Sequence, residues 1–322
     1  MFSSASANKE AVAEAVEACA DDTKGQTCYI CTQALHWKTK EGLVRGCSCR
    51  GTAGFAHVSC LAEQAKILFA EAEYNNLGFD ARGERFRRWS ACSLCEQEYH
   101  GVVCCALGWA CWKTYLGRTE KDNARCMAMN LLGNGLADAK HWEESLSVQE
   151  AELSMHRRLG ASEIGILVTQ NNLASTYYRV GRLAEALPMY RDVYSGNLKL
   201  NGEDDGTTLL AASNYASTLS GLQRFEEAKA LFRKTMPVVR RVHGEEHRLT
   251  LRMRWNYAEA LYQDPGATLD DLREAVTTLE DTERAARRVF GGAHPLTAGI
   301  GRELLSARAA LLTRETPSPG SA

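Results

Sequence analysis

Residues 171–187 read NNLASTYYRVGRLAEAL, and residues 213–229 read SNYASTLSGLQRFEEAK, the same pattern again 42 residues later. Asn172, Asn214 and Asn256 share that spacing, as do Ala174, Ala216 and Ala258, while residues 130–146, NLLGNGLADAKHWEESL, form an earlier copy one residue shorter. Each copy closes on a glycine-bearing turn, RRLGAS, KLNGEDD, RVHGEEH or RVFGGAH, so Gly160, Gly202, Gly244 and Gly291 stand where a helix ends. A fixed period of this length is the mark of stacked two-helix units, none of which can bury its apolar face alone. Residues 126–294 hold about four such units, the fourth with about five extra residues at QDPGATLDD between its helices.

Two helices per unit, small residues where they cross and a Gly-Arg or Gln-Arg turn between them resemble the tetratricopeptide repeat. The 42-residue period and the turns ending in His247 and His294 resemble the kinesin light chain type. That resemblance implies a superhelix with a concave groove, lined by the first helix of each pair, that takes a protein or peptide partner. Helix phase turns Asn171, Ser175, Tyr178, Ser213, Ser217, Arg252, Trp255 and Glu259 toward that groove.

Composition narrows the function classes. The 322 residues are 45% hydrophobic and 24% charged, which suits two folded domains rather than a disordered chain. With 38 Lys and Arg against 40 Asp and Glu, the net charge of -2 offers no basic field for nucleic acid or an anionic membrane. The N-terminal stretch MFSSASANKEAVAEAVEA lacks the basic flank and apolar core of a signal peptide and suits a short exposed helix. The most apolar run, GVVCCALGWACW at 101–112, is far shorter than the roughly 20 residues that cross a bilayer, so no membrane insertion is expected. A soluble, cytoplasmic or nuclear protein follows, with its twelve cysteines in a reducing compartment where clusters bind metal more often than they form disulfides.

Seven of those cysteines and one histidine fall into four ordered pairs: Cys28 and Cys31, Cys47 and Cys49, His57 and Cys60, Cys92 and Cys95. Closely spaced ligands suit zinc because a tight turn aims two side chains at one tetrahedral ion and a second pair completes the shell. Eight ligands make two closed sites, leaving no position for water, so two structural zinc ions are expected to stabilise residues 28–95. Cys104, Cys105, Cys111 and Cys126 lie outside this order and read as thiols buried in helix packing. His243 and His247 lack the glutamate of a metallopeptidase helix, and the chain has no phosphate-cradling glycine loop and no hydrolase nucleophile motif.

The ligand order, the Cys-x-Cys second pair and the strings CSCRGTAGFAHVSCL and CSLCEQEY resemble the RING-CH, or RING-variant, domain. The PHD finger shares the ligand order, but its tryptophan sits two residues before the last pair, whereas Trp89 lies three before Cys92. By resemblance to RING-CH the ligands cross-brace, with Cys28, Cys31, His57 and Cys60 on one zinc and Cys47, Cys49, Cys92 and Cys95 on the other. The resemblance further implies ubiquitin ligase activity without a covalent intermediate, in which the module docks a ubiquitin-conjugating enzyme and positions its thioester. Ile30 matches the apolar docking residue of the family; Gln64 stands where the family has a tryptophan. The gap between Cys60 and Cys92 is longer than the family pattern and reads as an extended helix, LAEQAKILFAEAEYN, followed by an Arg-rich loop, FDARGERFRRW.

The chain is thus expected to be mainly α, a small cross-braced two-zinc RING-CH module followed by an α-helical tetratricopeptide-repeat solenoid. Its expected segments are an N-terminal stretch, partly disordered or a short helix (1–23), the zinc module (24–100), a linking helix (101–125), the repeat array (126–294), and a capping helix with a disordered tail (295–322). A ubiquitin ligase that recruits substrate through its repeats is the first functional expectation. A non-catalytic adaptor or scaffold is the alternative, favoured by Gln64.

Overall fold

The structure, a computed structural model, describes residues 4–292 and 294–315; the tail expected at 316–322 lies outside the described residues. Among the described residues there are thirteen α-helices and no strand, with isolated β-bridges at Val44 and Ala56 and at Ala91 and Glu98. The chain divides into two compact units, the first ending at Ser162 and the second beginning at Glu163.

The first unit carries α1 (Ser4–Ala18), the metal-binding loops, α2 (Val58–Tyr74), α3 (Phe79–Phe86), α4 (Gly101–Tyr115), α5 (Asn123–Asp138) and α6 (Trp142–Leu159). The most apolar run of the sequence forms α4, which is touched by α1, α2 and α5. A helix apolar on all sides has to be enclosed; accordingly Val103, Cys105, Ala106, Leu107 and Cys111 of α4 are buried. Against α5 the approach is close enough that a Cβ on Gly108 would lie 3.1 Å from the Leu132 Cα, and one on Gly135 would lie 2.9 Å from the Cys104 carbonyl oxygen.

Two expectations are corrected here. The N-terminal helix is not simply exposed: Ala11 and Ala15 of α1 are buried, and α1 packs on α4. Alanines four apart suffice for close packing without giving a strong apolar signal. The Arg-rich loop is instead α3 and a 3-10 turn at Arg87–Trp89. Phe86 and Trp89 are buried with Phe69 and Tyr115; Phe69 meets Phe86 edge-on at 5.2 Å between ring centres, and Trp89 meets Tyr115 edge-on at 5.9 Å. Arg88 is half-buried, donating to the Cys92 carbonyl at 3.3 Å and to Glu96 at 2.9 Å. Arg118 closes the C-terminal end of α2 with a forked pair of bonds to Glu73, at 2.6 and 2.7 Å.

The second unit is a succession of hairpins, each helix packed on the next: α7 (Glu163–Arg179), α8 (Leu183–Asn201), α9 (Gly206–Gly221), α10 (Phe225–His243), α11 (Arg248–Tyr262), α12 (Leu269–Phe290) and α13 (Pro295–Glu315). The periodic small residues do the work assigned to them: Ala174, Ala216 and Ala258 are fully buried. The Gly-Arg and Gln-Arg turns place Gly181 and Gln223 in the left-handed region, at φ 80° and 60°. The inserted residues after α11 are tied down by Lys229, whose ammonium donates to Asp264 at 2.8 Å and meets Glu226 at 2.5 Å while its side chain is almost wholly buried.

Helix starts follow the repeat. Asp205 caps α9 by accepting from the Thr207 and Thr208 amides at 2.9 and 3.1 Å, and 42 residues on, His247 Nδ1 accepts from the Leu249 amide at 3.2 Å. Its ring stacks on His243 at 4.4 Å, and Phe290 stacks in the same way on His294, whose Nδ1 caps α13 by accepting from Leu296 at 3.1 Å.

The buried cation and the histidine cap can each be tested. Lys229→Ala leaves the Asp264 carboxylate without its cation and is expected to destabilise the chain by about 2–3 kcal/mol in urea unfolding. Burial, and next the neighbouring His243, hold the His247 pKa below its ordinary value of 6.5. The neutral form is therefore favoured by folding, so its contribution is complete above pH 6.5 and is lost as pH falls through the depressed value. His247→Asp, which installs the acceptor that position 205 already uses, should narrow the loss of melting temperature between about pH 7.5 and 5.5; an unchanged pH dependence would remove the cap from the account.

Candidate metal centre

Four donors from two separated turns meet in each of two clusters. Cys28, Cys31, His57 and Cys60 form one, and Cys47, Cys49, Cys92 and Cys95 form the other, with ligand atoms within 4.8 Å of one another in each. The first and third pairs of the sequence share a cluster, as do the second and fourth, which is the cross-braced arrangement.

Two matched knuckles begin the construction. At Cys28 the sulfur accepts from the Ile30 amide at 3.4 Å, and at Cys92 the sulfur accepts from the Leu94 amide at 3.4 Å. The two turns are adjacent, because the Tyr29 and Ser93 hydroxyls lie 3.0 Å apart and share a hydrogen bond. His57, at the start of α2, is fully buried. Its Nδ1 lies 3.4 Å from the Cys31 sulfur and 3.5 Å from that of Cys60, and its Nε2 is 3.3 Å from the Ala34 carbonyl. A carbonyl accepts only, so Nε2 carries the proton and the lone pair on Nδ1 is aimed into the cluster.

The electrostatics agree with a cation-binding set. Burial, and then the neighbouring thiols, push Cys60 and Cys49 up, and burial raises Cys47 to about 11. Burial also opposes ionisation of Cys28 and Cys95, yet hydrogen bonds to their sulfurs outweigh it; Cys28 is lowered and Cys95 is lowered to about 7. Thiols this close cannot ionise together unless a cation neutralises them. One set offers three thiols and an imidazole and the other offers four thiols, all buried or half-buried; both suit tetrahedral zinc, so the two clusters are able to hold two zinc ions. Bound there, zinc would supply folding energy; four protein ligands leave no open position for catalysis.

Gly54 was not singled out by sequence, although it shapes the second cluster. It sits at φ 84°, and a Cβ there would lie 2.6 Å from the Cys49 Cβ and 3.3 Å from the Cys47 sulfur. Its place between Cys49 and His57 was visible; its contact was not.

The remaining candidate residues are dispersed. Ile30 is 37% exposed on the first knuckle, Leu94 is 51% exposed on the second, and Gln64 is half-buried on α2. Asn171, Ser175 and Tyr178 lie on α7, Ser213 and Ser217 on α9, and Arg252, Trp255 and Glu259 on α11, the first helices of successive hairpins. Ser213 is fully buried. The Asn214 amide donates to Asn171 at 3.3 Å and the Asn256 amide to Ser217 at 2.7 Å, so two periodic asparagines join neighbouring first helices. Trp255 presses on α13, where a Cβ on Gly299 would stand 2.6 Å from its ring. Burial lowers the Arg252 pKa, and one of its terminal amino groups is buried with no partner among the described residues. Burial raises Glu259. Cys105 and Cys111 are buried in α4 without disulfides, as expected of packing thiols, while Cys104 and Cys126 are half-buried.

Gly54→Ala is expected to displace the second cluster alone, so the purified variant should hold one zinc per chain by atomic absorption where the wild type holds two. Two zincs retained by that variant would remove Gly54 from the account of the second cluster, and two retained by Cys28→Ser/Cys31→Ser would contradict the ligand sets.

Comparison with known families agrees with these two parts. Residues 28–75 match the RING-variant domain, a span that includes six of the eight clustered side chains and ends before Cys92. Residues 124–198 and 207–265 match the tetratricopeptide repeat. No curated protein matches the chain. Among solved structures, it is similar to a putative kinesin light chain with nearly identical TPR-like repeats from Podosopora anserina, at 17% identity and a TM-score of 0.49 over 73% of this chain and 98% of that one. It is also similar to BtubC (BKLC) from P. vanneervenii, at 13% identity and a TM-score of 0.43 over 82% and 96%. The chain is therefore a zinc-binding protein that joins a RING-variant domain to tetratricopeptide repeats, which are protein-interaction repeats.

Proposed function

We propose that the chain is a ubiquitin ligase in which the zinc module docks a ubiquitin-conjugating enzyme and the repeats recruit the protein to be modified. The observation that carries this reading is the pairing of the knuckles. The Tyr29 to Ser93 bond holds two zinc-braced turns side by side, and each presents one exposed apolar residue, Ile30 and Leu94. Apolar anchors on a rigid base suit a small docking interface, where a few residues carry most of the binding energy. The module's contribution to catalysis would be orientation of the thioester, with none of its cysteines acting as a nucleophile.

Recruitment by the repeats draws support from Arg252. A guanidinium that is largely withdrawn from water and has an unpartnered amino group is best satisfied by an anionic group, such as a carboxylate of a bound segment. Tyr178 and Glu259 flank the same run of first helices and would bound the segment. The adaptor reading keeps one specific observation in its favour: Gln64 supplies no aromatic anchor at the position where the family has tryptophan.

Autoubiquitination of the zinc-loaded chain against a panel of conjugating enzymes tests the proposal. Chain formation by the wild type is expected to fall about tenfold or more in Ile30→Ala and in Leu94→Ala, each anchor contributing about 1.4 kcal/mol or more. Two zincs per chain in both variants would confirm that the module is intact. A zinc-loaded wild type that is silent with every enzyme would replace the ligase by the adaptor.

A further inference from the structure

On the first unit, α1 and α2 both pack on α4 and leave between them a cleft of about 1420 Å³ that no part of the preceding reading uses. Val12 and Val16 of α1, Val58 and Ala62 of α2, and Ala110 of α4 supply its apolar lining. The turn at residues 36–42 closes one end. His36 Nδ1 accepts from the Thr39 amide at 3.1 Å, the His36 amide donates to the Glu41 carbonyl at 3.0 Å, and a Cβ on Gly42 would meet Val16 at 2.8 Å. This braced turn presents Trp37 at 68% exposure into the cleft. A tryptophan held in the open on an ordered turn is a ready anchor for a partner.

The charge around the cleft has one sign in excess. Lys9, Lys38, Lys40, Lys66 and Lys113 line it against Glu17, Glu41 and Glu63. Glu41 accepts from the Ser59 amide at 2.7 Å and from its hydroxyl at 2.9 Å, and Glu63 pairs with Lys66 at 3.3 Å. Among the described residues, Lys9, Lys38, Lys40 and Lys113 form no ion pair; the lysine pairs are those of Lys24, Lys66, Lys199 and Lys229. In a chain whose net charge is -2, four unpaired lysines around an apolar trough make a local positive field.

We propose that this cleft is a docking site for an acidic amphipathic helix of a partner protein. Two of its walls are helices and its floor is a third, so a helix laid between α1 and α2 would pack ridges into grooves on all three. Its apolar stripe would cover Val12, Val16, Ala62 and Ala110, Trp37 would pack on one of its turns, and its flanking carboxylates would meet Lys9, Lys38, Lys40 and Lys113. The chain's own residues 316–322, TPSPGSA, have neither an acid nor a large apolar side chain with which to fill it. The site is independent of the ligase reading and would serve an adaptor equally.

The test uses the full zinc-loaded chain and two fluorescein-labelled helical peptides with the same leucine stripe, one flanked by glutamates and the other by lysines, followed by anisotropy. The glutamate peptide is expected to bind about tenfold or more tightly than the lysine peptide, with the difference shrinking as salt screens the lysines. Lys38→Glu/Lys113→Glu should abolish or invert that preference, and Trp37→Ala should weaken both peptides. All three positions are exposed, so zinc content and helicity should be unchanged. Equal or absent binding of the two peptides would overturn the proposal, as would a preference that survives charge reversal. Sedimentation showing wild-type dimers that the charge reversal dissolves would assign the cleft to a second copy instead. Tighter peptide binding after truncation at Glu315 would assign it to the chain's own tail.

Discussion

Burial of α4 is the constraint on which the first unit depends. Its apolar residues spread over most of its circumference, with Lys113 and Thr114 left to solvent, so the helix requires cover on several sides, and each covering element finds its own partner there. Val103, Ala106 and Leu107 share one core with Val44, Phe55 and Leu61 of the zinc module, Ala11 and Ala15 of α1, and Leu132 and Leu136 of α5. Cys111 and Tyr115 share a second with Phe69, Phe86 and Trp89. The zinc ligands and the first hairpin are therefore not joined by a tether. They are two sides of one packed body, and the metal holds in place loops too short of apolar residues to stay folded alone.

A different logic governs the second unit. Each hairpin repeats the same local solutions: buried alanines where helices cross, a left-handed residue at the tight turn, and an acceptor at the helix start. The acceptor is an aspartate in one repeat and a histidine in two later helices, which is what a backbone amide permits, since it asks for a lone pair and is indifferent to the side chain that brings it. Where the repeat is broken by insertion, the added residues are held by Lys229, a charge that becomes tolerable in the core through its two carboxylates.

Legibility followed the range of the interaction. The helical hairpins were readable because helical periodicity and a 42-residue repeat are local properties of the chain, and the two-zinc content because ligands paired two or three residues apart announce themselves. The pairing of the pairs came only through resemblance to RING-CH, since nothing in the spacing separates crossed from sequential sites. Features made by distant contact were missed. Ala11 and Ala15 carry too little apolar weight to announce that α1 is packed. The arginines of FDARGERFRRW masked Phe86 and Trp89, which decide that segment's fold by meeting Phe69 and Tyr115. Leu94 looked like one more residue between two cysteines until the Tyr29 to Ser93 bond brought it beside Ile30.

The backbone contacts of Gly108 and Gly135 bear on how such a chain can be assembled in evolution. At Gly135 a Cβ would stand 2.9 Å from backbone, so any larger residue there forces α4 and α5 apart, whereas at Gly108, at 3.1 Å, the neighbouring backbone would have to yield by a few tenths of an ångström. A zinc module cut at the end of its last ligand pair would leave Val44, Phe55 and Leu61 without the α4 residues that share their core.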